Sequence, residues 1–85
     1  MRKIMMLRTL HGDRDKETVH KRHLEGQIAA HIPEAKRTPG PERCDVVAVF
    51  VDDDASIFEL HVTDWADAAT LEQGAKYNVE LTKAS

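Results

Sequence analysis

Five histidines and one cysteine are the residues of this 85-residue chain whose types best suit metal binding. His20 and His23 lie three apart, His11 and His31 flank them, and Cys44 follows, a nitrogen and sulfur set of the kind zinc prefers. The spacing has no paired CxxC or HxxxH repeat, so neither a metal site nor a cofactor is expected. His11, His20, His23 and His31 read instead as ordinary surface groups of a basic segment. The triplet Asp52-Asp53-Asp54 offers oxygens to a hard cation, but Ile57 stands where a calcium loop of the EF-hand type needs glycine. No glutamate closes such a loop, and the triplet reads as a solvated turn.

Nucleophilic chemistry has little to work with. The only serines are Ser56 and Ser85, neither in a GxSxG elbow, and Cys44 stands in no motif that would activate its thiol. Gly12, Gly26, Gly40 and Gly74 are too scattered to cradle a phosphate. No catalytic residue is assigned, and an enzyme is not expected.

Binding is the chemistry that remains, and charge is its main clue. Residues 1–43 carry ten Lys and Arg against six Asp and Glu, whereas residues 44–85 carry two against nine, for a net charge of −3. Arg14, Lys16, Lys21, Arg22, Lys36 and Arg37, with His20 and His23, are candidates for a basic ridge that contacts phosphates. A five-stranded barrel of the oligonucleotide-binding type would suit that ridge. Single-strand binders also use aromatic platforms, yet Phe50, Phe58, Trp65 and Tyr77 all fall in the acidic half. Asp52, Asp53, Asp54, Asp64 and Asp67 are candidates for an acidic face, which a nucleic-acid mimic could use as an inhibitor. The expectation we carry forward is a small non-enzymatic module that binds a protein partner or itself, with nucleic-acid binding and acidic mimicry as alternatives. No apolar run approaches the roughly 20 residues of a membrane span, and a single cysteine agrees with a cytoplasmic location.

The elements that must position these residues follow from period and punctuation. Val46 to Val51 is an unbroken, β-branched run that predicts a central strand, and the three aspartates turn it back. Phe58, Leu60 and Val62 then alternate with Glu59, His61 and Thr63, completing a central hairpin over 45–63. Residues 3–10 predict a first strand with Ile4 and Met6, and at its end Leu10, on one face.

Residues 18–32 fit two templates. Leu24, Ile28 and Ile32 recur at helical spacing, yet Leu24, Gly26, Ile28, Ala30 and Ile32 also alternate strictly, and Gly26 costs a helix about 1 kcal/mol relative to alanine. The alternation favours a strand, giving a basic N-terminal hairpin over 3–32. The prolines of 33–43 predict a loop, Asp64 and Gly74 bound a short helix over 64–73, and Tyr77, Val79 and Leu81 mark a closing strand over 76–83. The chain is thus read as one β-dominant α+β domain of about five antiparallel strands, a meander or partly open barrel. The alternative is a helix over 15–32 packed on a three- to four-stranded antiparallel sheet.

Overall fold

The computed structural model describes residues 1–84. β2 (Val46–Val51) is the central strand its β-branched run predicts, burying Val46, Ala48 and Phe50 on one face and half-burying Val47, Val49 and Val51 on the other. It folds back at Asp52 into β3 (Ile57–Val62), with Phe50 opposite Phe58 and Ala48 opposite Leu60. The Asp52 carboxylate builds this turn by accepting the backbone N–H groups of Asp54 at 3.0 Å and Ser56 at 2.9 Å.

β1 (Arg2–His11) lies on the other flank of β2 and also pairs with β4 (Lys76–Glu80), so the antiparallel strands run in the order β3-β2-β1-β4. Its first half pairs with β4 and its second half with β2. A bulge between Leu7 and Thr9 moves side-chain parity by one residue, so Leu10 faces the core together with Met5 and Leu7. Ile4 and Met6 do not face that core, as their spacing with Leu10 had suggested. They lie on the opposite face, 66% and 40% exposed, because the register with β4 sets Met5 against Tyr77.

The segment over 18–32 takes the alternative reading, not the preferred strand: α1 is a helix spanning Lys16–Ala29. Asp15 caps it, accepting the N–H of Glu17 at 3.1 Å and of Thr18 at 3.4 Å, while the Thr18 hydroxyl donates to the same carboxylate at 2.7 Å. As a helix the segment closes its backbone hydrogen bonds within itself and needs no neighbouring strand. Four strands therefore form where about five were expected. The proline-rich segment, which includes a 3₁₀ turn over Glu34–Lys36, runs back along the helix. Gln27 donates to the Thr38 carbonyl at 3.0 Å and accepts the Thr38 N–H at 2.8 Å, and its side chain is the buried one of α1.

α2 (Trp65–Thr70) begins as expected, with Asp64 accepting the N–H groups of Ala66 at 2.8 Å and Asp67 at 3.3 Å. It ends in an extended Leu71, and Gly74 (φ 90°) sits not at the helix cap but in the turn that enters β4, donating to the Leu7 carbonyl at 2.7 Å. α2 packs against β3, burying Ala68 with Cys44, Val46 and Val62. The other half of the core is Met5, Leu7, Ala48 and Phe50, joined to the first through Leu10 and Leu71. α1 and its loop project from the sheet as an arm. The Cα radius of gyration of 17.3 Å accordingly exceeds the roughly 12 Å of a compact chain of this length. Among the described residues no helix is long and apolar enough to cross a membrane.

Candidate interaction surface

The basic residues singled out in the sequence are spread over the arm and its root. Arg14 reaches across to the carbonyls of Ala68 and Leu71, where it satisfies the end of α2. Arg22 pairs with Asp13 at 3.2 Å, and Arg37 donates to the Ile32 carbonyl at 3.0 Å. Among the described residues the side chains of Lys16, Lys21 and Lys36 make no ion pair or hydrogen bond. On a helix, successive steps of about 100° place Lys21 and Arg22 roughly 140° and 240° round the axis from Lys16. Lys16, Lys21 and Arg22 thus do not share one face.

The acidic residues are likewise divided. Asp52 is structural: its side chain is 9% exposed and its carboxylate takes the Lys3 ammonium at 2.9 Å. The Lys3 hydrogen bond holds the Asp52 carboxyl below the usual carboxylate range, and the same bond raises Lys3 above the ordinary lysine range. Asp53 and Asp54 stand exposed at the hairpin tip. Asp64 and Asp67 sit at the far end of β3, roughly 17 to 20 Å away along the strand, with Asp64 used as the α2 cap.

His20 and His23 share a face now that their segment is helical, but both turn toward their own loop, His20 to the Pro41 carbonyl at 2.8 Å and His23 to the Thr38 hydroxyl at 3.0 Å. Cys44 is buried and donates to the Val62 carbonyl at 3.3 Å. No three metal-ligating side chains come together among the described residues.

The sheet itself presents what the sequence did not single out. On its core face Phe50 on β2 meets Phe58 on β3 at 6.0 Å between ring centres and reaches over β1 to Tyr77 on β4 at 5.7 Å. α2 covers only the end near Val62. The remainder is an open groove floored by Met5 and walled by Phe58 on one side and Val79 and Leu81 on the other, continuous with a second hollow between Leu60, Leu71 and Tyr77. Phe58 and Leu60 are 39% and 41% exposed there, and Leu81 is 69% exposed.

Among the described residues neither edge of the sheet has a strand paired to it. The Leu81 N–H donates to the Met1 carbonyl at 2.7 Å and the Leu7 N–H to the Ala75 carbonyl at 2.9 Å. Alternation along an antiparallel pair then turns the backbone of Tyr77 and Val79 toward β1, and that of Lys76, Asn78 and Glu80 outward. On β3 the Asp52 N–H bonds to the Ser56 carbonyl, so Ile57, Glu59 and His61 have the outward backbone groups. Alternation in the sequence marked which side chains share a face, but carried no signal for which strands end the sheet.

Comparison of this chain with protein-family models, with curated proteins and with solved structures found no match.

Proposed function

We propose that this protein is a non-catalytic interaction module that binds a protein partner, or a second copy of itself, through the grooved core face and open edges of its sheet. The observation that carries this reading is the uncovered apolar groove between β3 and β4, where Phe58, Leu60 and Leu81 remain exposed on the same face as the core. A contiguous apolar patch rimmed by charge is the usual mark of a protein interface. The groove is lined mainly by aromatic and aliphatic side chains, with Lys3, Ser56 and Glu80 beside them, a mixture of apolar surface and charge that suits a protein interface. The buried, unpaired Cys44 is in keeping with work in the cytoplasm.

The test compares the protein with a Phe58→Asp, Leu60→Asp variant in two assays, light scattering over a concentration series and capture of partners from the native host. Association that the double substitution removes supports the reading. Equal behaviour of the two forms in both assays would sink it, and capture of nucleic acid by both would favour the basic arm instead.

A further inference from the structure

The geometry points to β4 as a self-complementary edge, through which two copies pair antiparallel about a two-fold axis at Asn78 and form one continuous eight-stranded sheet. This deepens the reading above and rests on it. The outward backbone groups belong to Lys76, Asn78 and Glu80, and only like-oriented residues can exchange hydrogen bonds across a new antiparallel pair. The register that uses all three sets Asn78 against Asn78 of the second copy, and Lys76 against its Glu80 on either side. Backbone demand and side-chain charge therefore select the same alignment. Opposite charges directly across a strand pair attract, and two-fold symmetry counts each contact twice.

Tyr77 and Val79, half-buried on the core face, come opposite Val79 and Tyr77 of the second copy in the same register. The pairing thus joins the two apolar grooves at their β4 walls. The other edge does not have this property. Full-length pairing of β3 with itself in the register its outward backbone requires sets Glu59 against Glu59, a like-charge contact that opposes association. Pairing β3 of one copy with β4 of the next would not close, and would propagate as a filament.

A short strand pair is a modest interface, so the experiment is sedimentation or light scattering over a concentration series reaching the millimolar range. Wild type is expected to dimerise. Lys76→Glu and Glu80→Lys should each raise the apparent dimer dissociation constant by about tenfold or more, since attraction is replaced by repulsion twice. An equimolar mixture of the two variants should recover a heterodimer as tight as wild type, because each then meets opposite charge. Glu80 also lies beside Arg2 within its own chain, so the mixture is the deciding arm and circular dichroism checks that each variant folds. Asn78→Pro removes the central outward donor without touching a bond to β1, and should abolish the dimer. A wild type that stays monomeric, a mixture no tighter than either variant alone, or a dimer indifferent to Asn78→Pro would each overturn the proposal. If such a protein still captures a host partner through Phe58 and Leu60, the interaction-module reading survives. If it captures nothing, both fall.

Discussion

Asp52 joins three segments at one point, because its carboxylate holds the turn amides of Asp54 and Ser56 while Lys3 reaches over from the start of β1. Asp15 does similar work at the root of the arm, where the Thr18 hydroxyl is the main cause of its lowered pKa. Both carboxyls titrate lower in the folded chain than when unfolded. Their contribution to stability is therefore complete above about pH 4 and is lost as pH falls through their depressed folded values. Lys3 has the opposite sign: its raised folded pKa contributes stability below about pH 10.4, lost as pH rises through the folded value. Thermal melts across pH should show an acid limb that is shallower in Asp52→Asn, and a loss in that variant of the dependence at the alkaline end. Equal limbs in the two proteins would contradict this account. In the core, Leu7 is fully buried, and Leu7→Ala should cost about 2 to 5 kcal/mol in a denaturant melt, a large part of the stability of so small a chain.

Among the elements, α1 owes little to an apolar face. Leu24 and Ile28 are 44% and 48% exposed, and what holds the helix is its Asp15 cap and the clamp between Gln27 and Thr38. Gln27→Leu leaves the Thr38 N–H and carbonyl without their partner, at about 1 to 3 kcal/mol. That cost falls on the arm, so hydrogen exchange should quicken over residues 16–29 while the amides of β2 keep their protection. Uniform loss of protection would instead mean that arm and sheet unfold as one. A methyl group at Gly26 would meet nothing within 4 Å, and Gly26→Ala should add about 0.5 to 1 kcal/mol to the helix, read as raised helicity and slower exchange over the same residues. Gly12 is the contrary case. Its φ is 108°, and a side chain there would overlap the Asp45 carbonyl where the end of β1 meets the start of β2.

For the molecule as a whole, β1 and β2 amount to a hairpin whose connection has been expanded into the arm, since His11 pairs with Val47 and the chain returns beside Gly12. Replacing residues 15–42 by a short glycine-containing turn should leave the sheet folded, with Arg14 retained to satisfy the end of α2. The strand signature in circular dichroism should persist while the helical signal falls. Loss of both would show that the contacts of His20 and Pro41 with Trp65 are essential to the sheet.

Much of this architecture was written into local pattern. The β-branched run of β2, the alternation of β3, the aspartate turn and the Asp64 cap each depend on residues close in the chain, and each forms where those residues place it. Residues 18–32 satisfied helical and strand periods at once, and the helix is held by its Asp15 cap and by the clamp that the returning loop makes between Thr38 and Gln27. The bulge that returns Leu10 to the core, and the register that turns Ile4 and Met6 away from it, likewise arise from pairing with distant strands. Local sequence determines which side chains share a face, because alternation is a property of the backbone itself. Which face is covered, and which strand stands at an edge with its amides unpaired, is decided by neighbours that meet only in the folded chain.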